Sequence, residues 1–322
     1  MKLITSSDRF AIFGARGMAG GAISRSLQRT GYCHQYKPNR QELNLLDPIE
    51  VQKWFDNYRP NVVILAAATV GGISANSNYP ADFILENIKI QSHVIEAAWR
   101  SGARRLLFLG SSCIYPKFSK QPIKEESLLA GPLEPTNEFY AIAKITGIKL
   151  CEALWKQHGF DAISLMPTNL YGPGDNYHKD NSHVLPAMIR RFCEALEHRH
   201  ESVTCWGTGN PLREFLHVDD LGDASVFALE NWSLKPDEPP FLNVGTGIDI
   251  TIRELAEMVA EAVGFDGMIN WDISKPDGTP KKLLDVSRLQ QLGWQSRISL
   301  SSGLASTIAE YRDKLKLNLV RL

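Results

Sequence analysis

Gly14, Gly17 and Gly20 stand at intervals of three, directly after a short apolar run at residues 9–13 and directly before a helical pattern through Ile23 and Leu27 that stops at Gly31. A strand feeding such a turn and then a helix lets backbone approach a pyrophosphate, with the unpaired amides of the helix N-terminus facing it. This unit commits the start of the chain to strands and helices sharing one sheet. Two further runs, at 61–68 and 105–110, are continuously apolar over strand length, as expected of strands covered on both faces. Between them residues 83–99 carry helical periodicity at Phe83, Asn87, Ile90, Val94 and Ala97. Residues 137–158 read as another helix and 162–166 as another strand. The alternation predicts an α/β fold, a doubly wound parallel sheet of Rossmann type.

After Tyr171-Gly-Pro-Gly174 this regularity falls away. We expect residues 1–172 to form the dinucleotide-binding domain and 173–322 mainly a smaller α/β substrate domain. A segment near 213–247 is expected to return to the first sheet as strand and helix, with Asp219 and Asp220 as helix caps. The 322 residues suffice for both units, and no repeat or low-complexity tract interrupts them. With 35 basic and 36 acidic side chains the net charge is −1, so no global field favours nucleic acid or a membrane surface. Five scattered cysteines without a Cys-x-x-Cys pair argue against a disulfide framework or a structural zinc, and Cys151, Cys193 and Cys205 read as packing. The N-terminal residues lack a long apolar segment, and no apolar run approaches about 18 residues. The expected setting is the reducing cytoplasm.

Tyr140 and Lys144 lie four apart on the predicted helix, so phenol and ammonium address one volume. A cation there favours the phenolate of a group that ordinarily titrates near pH ~10. A lone Tyr-x-x-x-Lys is ordinarily a surface pair. Here Ser111-Ser112-Cys113 ends an apolar strand upstream, and with the glycine turn the three pieces describe a nicotinamide-dependent site. Where an acidic residue would select NAD near the end of the second strand, the chain carries Lys37 and Arg40, and Arg16 lies inside the turn. Cations there suit a 2′-phosphate, hence NADP(H).

Specific motifs extend this pattern along nearly the whole chain. They are Gly-x-Arg-Gly-Met-x-Gly (14–20), Ala-Ala-Ala-x-Val-Gly-Gly-Ile (66–73), Leu-Gly-Ser-Ser-Cys-Ile-Tyr-Pro-Lys (109–117) and Glu-Pro-Thr-Asn-Glu-x-Tyr-Ala-Ile-Ala-Lys (134–144). Met-Pro-Thr-Asn-Leu-Tyr-Gly-Pro (166–173), Asn-Ser-His-Val (181–184), residues 206–220 and Ser-Lys-Pro-Asp-Gly-Thr-Pro-x-Lys-Leu-Leu-Asp (274–285) follow. The chain resembles the extended short-chain dehydrogenase/reductases, and within them the enzymes that epimerise carbons 3 and 5 of GDP-4-keto-6-deoxy-D-mannose and reduce carbon 4 with NADPH, giving GDP-L-fucose.

The resemblance implies roles residue by residue. Ser111 would hydrogen-bond the carbonyl oxygen, Tyr140 would donate a proton to it, and Lys144 would lower the tyrosine pKa and hold the nicotinamide ribose. Cys113 and His183 would serve as acid and base at carbons 3 and 5, and thiol and imidazole exchange protons near neutral pH without large shifts. Cofactor contacts would come from Gly14, Ala15, Arg16, Gly17, Met18, Ala19, Gly20, Arg40, Asn44, Leu45, Leu109, Gly110, Ser111, Ser112, Lys144, Pro167, Thr168, Asn169, Leu170 and His183. Arg191, Trp206, Arg213 and Asp277 would grip the GDP-sugar. Thr69 departs from the pattern, which has lysine there, and bears on contacts near cofactor or sugar. The resemblance also implies a homodimer formed through the helices at 83–99 and 140–158. A sister enzyme acting on a dideoxy or heptose GDP-4-keto sugar fits the same motifs. A redox-inactive NADP-binding regulatory protein is a more distant reading, opposed by the intact Ser111, Tyr140 and Lys144.

Overall fold

Short apolar runs with a side chain on each face become central strands only if both faces are covered, and this governs the first half of the chain. The computed structural model describes residues 2–179, 181–275 and 277–320, without the side chains of Ile73 and Ser74. Pro276, inside the motif at 274–285, lies outside the described residues. In chain order come β1 (Phe10–Phe13), α1 (Met18–Arg29), β2 (Gln35–Tyr36), α2 (Pro48–Tyr58), β3 (Val62–Leu65), α3 (Ile73–Asn78), α4 (Pro80–Arg100), β4 (Arg105–Leu109), α5 (Glu138–His158) and β5 (Asp161–Pro167). There follow β6 (Asn169–Tyr171), α6 (Val184–Glu197), β7 (Ser202–Trp206), β8 (Leu212–His217), α7 (Val218–Asn231) and β9 (Phe241–Val244). The last elements are β10 (Asp249–Thr251), α8 (Ile252–Val263), β11 (Met268–Asp272), β12 (Lys281–Lys282), α9 (Ser287–Gln291) and α10 (Leu300–Lys316).

Six parallel strands form the main sheet in the order β2-β1-β3-β4-β5-β9. Val63 and Leu65 face one core with Val94 and Ile148 from α4 and α5. Their neighbours Val62 and Ile64 face the opposite core with Ile23 of α1 and Leu221 of α7. The strand order turns back between β1 and β3, and at such a point the carboxyl ends of the strands leave a crevice.

A third core gathers α6, α8 and α10 around Phe192, Val259 and Ile308. Beside it lie the paired strands β7 and β11 and the set β10-β8-β12, with β6 joined to β8. This corrects the expectation for the returning segment. The strand at Leu212–His217 stays in the smaller sheet; α7, packed on α1, and β9 are what rejoin the main one. The N-cap of α7 is also His217, whose Nδ1 accepts from the Asp219 amide. Asp220 instead accepts the amides of Arg297 and Ile298, and Asp219 pairs with Arg25 at 2.6 Å. Among the described residues, no helix is long and apolar enough to cross a membrane.

Candidate active site

One cleft of about 1460 Å³ runs from the carboxyl ends of the main-sheet strands to the smaller sheets, and every catalytic, cofactor and substrate residue assigned from the motifs borders it. That volume exceeds the roughly 300–1,000 Å³ of a site for one small ligand and has room for two nucleotides side by side.

At one end, Gly14 turns the chain at φ +90°, and a Cβ on Gly20 would sit 2.3 Å from the Gly14 carbonyl oxygen. Only glycine lets α1 start this close to the turn. No side chain caps α1 at Gly17, so its first amides are left to face an anion. Arg16 and Arg40 border the same end. Lys37 does not border it; its ammonium turns to the Ser24 hydroxyl at 3.4 Å. The glycine cradle, the uncapped helix and two arginines fit a dinucleotide carrying an extra phosphate, with Arg16 and Arg40 as the groups to hold it.

The middle of the cleft is built where β4 ends. Ser111 caps a short 3-10 turn (Ser112–Ile114), its hydroxyl accepting from the Cys113 amide at 3.3 Å. From the next helix, α5, Tyr140 and Lys144 reach the same place, one helical turn apart. The Lys144 ammonium donates to the Leu109 carbonyl at 2.8 Å and lies 4.8 Å from the Phe108 ring centroid. Burial pulls Lys144 down from 10.5 to about 7. Burial pushes the Tyr140 phenol well above its ordinary range; Cys113 adds to the shift and a hydrogen bond with Ser111 opposes it. The expectation that Lys144 lowers the tyrosine pKa is therefore not met in the protein alone. Lys144 lies 5.9 Å from the Tyr140 ring centroid, and desolvation governs both groups.

Cys113 Sγ accepts from Asn137 Nδ2 at 3.4 Å and from Lys282 Nζ at 3.8 Å. His183 begins α6 across the cleft. It touches the cleft's solvent yet is ringed by protein, and this desolvation, with the nearby Lys282 charge, lowers its imidazole pKa. Asn137 and Lys282 escaped the sequence reading as site residues. Both lie inside quoted motifs, but the contact with a cysteine 169 positions away from Lys282 exists only in the folded chain.

At the far end the half-exposed Trp206 ring has Arg191 at 5.1 Å and Lys275 at 5.5 Å from its centroid. Arg191 is steadied by the Thr204 carbonyl at 3.0 Å. Asp277 holds a loop: its two oxygens accept the Thr208 amide and hydroxyl, each at 2.8 Å, and its carbonyl meets Arg213 at 3.4 Å. An aromatic face between cations with a further arginine suits a base and a pyrophosphate. Thr69 donates to Glu86 on α4, and Asn87 brackets its backbone.

Comparison with known proteins agrees with this geometry. The model of the NAD dependent epimerase/dehydratase family matches residues 10–245. GDP-L-fucose synthase of Escherichia coli (strain K12) is 56% identical over 308 residues, covering 94% of this chain and 96% of that protein. Two solved structures from Campylobacter jejuni are each 35% identical. They are a GDP-6-OMe-4-keto-L-xylo-heptose reductase (TM-score 0.91, covering 97% of this chain and 99% of that one) and, with NADP bound, the GDP-mannoheptose C4 reductase MlghC (TM-score 0.88, 96% and 99%). A family match across most of the chain, joined to identity above one half over nearly its full length, leaves one assignment: the chain belongs to the NAD dependent epimerase/dehydratase family.

Proposed function

We propose that this protein is an NADPH-dependent epimerase and reductase that inverts carbons 3 and 5 of GDP-4-keto-6-deoxy-D-mannose and reduces the ketone at carbon 4, giving GDP-L-fucose. The observation that carries the reading is that Ser111, Tyr140, Cys113 and His183 border one chamber, with the glycine cradle at one end and Trp206 at the other. When bound, NADPH supplies the hydride for carbon 4. Ser111 and Tyr140 hold the carbonyl oxygen, and Tyr140, whose proton burial retains, delivers that proton as the oxygen becomes a hydroxyl. Lys144 positions the ribose next to Tyr140. Carbons 3 and 5 flank the same carbonyl, so removing either proton places charge on the oxygen that Ser111 and Tyr140 already hold. Cys113 and His183 move those protons.

Residues 1–172, with the return through α7 and β9, serve the cofactor; residues 173–322 serve mainly the GDP-sugar. A homodimer through α4 and α5 is supported by the exposed Leu85, Phe139 and Ile142 (55%, 44% and 37% exposed), and sedimentation as a monomer at micromolar concentration would refute it. The free, unpaired cysteines, Cys33 exposed among them, support a cytoplasmic setting. The heptose-reductase structures favour a second reading, a sister GDP-4-keto sugar, though at lower identity than the fucose relative.

The test is product identification after incubation with NADPH and a panel of GDP-4-keto sugars. The same substrate in heavy water, with reduction blocked, should exchange hydrogen at carbons 3 and 5. Cys113→Ser should suppress that exchange, because a serine hydroxyl is too weak an acid to act as the anion. Tyr140→Phe should depress reduction and keep residual exchange. Wild-type exchange rates in Cys113→Ser would show the cysteine to be packing.

A further inference from the structure

Cys113 borders a second, much smaller cavity of about 20 Å³, walled by Lys117, Glu134, Asn137 and Lys282. One water needs roughly 10–15 Å³ of such space and two to four polar partners. Among the described residues Asn137 Oδ1 on this wall has no hydrogen-bond partner, while Glu134 Oε2 pairs with the Lys117 ammonium at 2.9 Å. Glu134 is itself 9% exposed, whereas Lys117 reaches the outside with 29% of its side chain accessible. Lys117 does not border the main cleft. The small cavity thus offers the thiol a path toward solvent at Lys117, while Cys113, Glu134, Asn137 and Lys282 border the main cleft as well.

The chemistry needs such a path. Inverting one carbon removes a proton from one face and returns another on the opposite face, so one of Cys113 and His183 ends with a proton too many and the other with one too few. A second inversion requires the pair to be reset while the sugar still fills the chamber. We propose that the cavity holds a water through which Cys113 exchanges a proton with Glu134 and the solvent beyond Lys117, resetting the pair between the two inversions. The inference rests on the epimerase reading above. Where Cys113 holds the excess, its S–H bond breaks as an O–H bond forms on the water. That water passes a proton to the Glu134 carboxylate, which releases it to solvent, and His183 regains one from solvent, with no net change. Where His183 holds the excess, each transfer runs in reverse. Burial would raise the Glu134 carboxyl, but the Lys117 ammonium and the Thr136 amide hold it below the usual carboxylate range, so it stands ionised at neutral pH and any proton it takes up is quickly passed on to solvent.

The experiment is the heavy-water exchange with reduction blocked, read by mass spectrometry as the ratio of doubly to singly deuterated sugar at low conversion. Wild-type protein should give mainly doubly labelled sugar. Glu134→Gln should give mainly singly labelled sugar, the second exchange slowed at least about tenfold, while reduction of the already inverted ketone keeps its rate. Glu134→Asp, which retains a carboxylate, should recover double labelling, a rescue that a merely structural role would not require. If the glutamine variant fails to fold, Glu134→Asp against Glu134→Asn provides the same comparison. A wild-type ratio in the amide variant overturns the relay and leaves the epimerase reading standing. Absence of any label from wild-type sugar overturns both.

Discussion

Replacing Lys144 by methionine should stabilise the cofactor-free protein, and by an amount that depends on pH. Lys144 is 3% exposed and donates to the Leu109 carbonyl at 2.8 Å. In the unfolded chain its amine titrates near 10.4, whereas burial holds it at about 7 in the folded one. Between those values the unfolded state binds more protons, so wild-type stability rises with pH across the window from about 7 to about 10.5. At 1.36 kcal/mol per unit, the displacement from 10.5 to about 7 corresponds to about 5 kcal/mol of destabilisation at pH 7 and below. Methionine removes the titrating group, fills most of the volume and orphans one carbonyl at a cost of about 1 kcal/mol. The variant should therefore be more stable than wild type by roughly 3–4 kcal/mol at pH 6 and nearly level with it at pH 9.5. Urea unfolding of both proteins, followed by tryptophan fluorescence at several pH values, measures the difference. Parallel stability profiles would refute the reasoning, because they would mean that the lysine titrates normally in the folded state. A strong loss of activity in the more stable variant would place Lys144 among residues kept for function at the expense of stability.

Arg40→Ala or Arg16→Ala should weaken NADPH use by about 1.5–3 kcal/mol and leave NADH use nearly unchanged, since each would remove a charged hydrogen bond to the 2′-phosphate; equal losses with both cofactors would move the phosphate site elsewhere. Glu214 is fully buried and accepts the amides of Thr246 (2.6 Å), Gly247 (2.8 Å) and Leu284 (3.0 Å), tying β8 to the strand segment that carries Lys282. Glu214→Gln turns a donor toward one of these amides and should cost about 1–3 kcal/mol in urea unfolding; a loss below about 0.5 kcal/mol would mean the knot is dispensable.

The doubly wound sheet and the location of the cleft were legible because each rests on local pattern. Continuous apolar runs demand cover on both faces, glycines three apart permit the close start of α1, and residues four apart on α5 must share a face. The reading erred where long-range pairing decided the outcome. The strand at 212–217 looks like any other, and only its partners β6, β10 and β12 assign it to the smaller sheet. Local spacing placed Lys37 near the cofactor, but its side chain turned to Ser24. Lys144 and Tyr140 were paired correctly in space, yet their protonation follows how much protein surrounds them, a quantity no spacing encodes. Asn137 and Lys282 around Cys113, Asp277 holding Thr208, and the water-sized cavity at Glu134 all join segments far apart in the chain. Local sequence specifies which elements form and which faces they bury. Only their packing brings distant side chains within bonding distance and excludes water from between them.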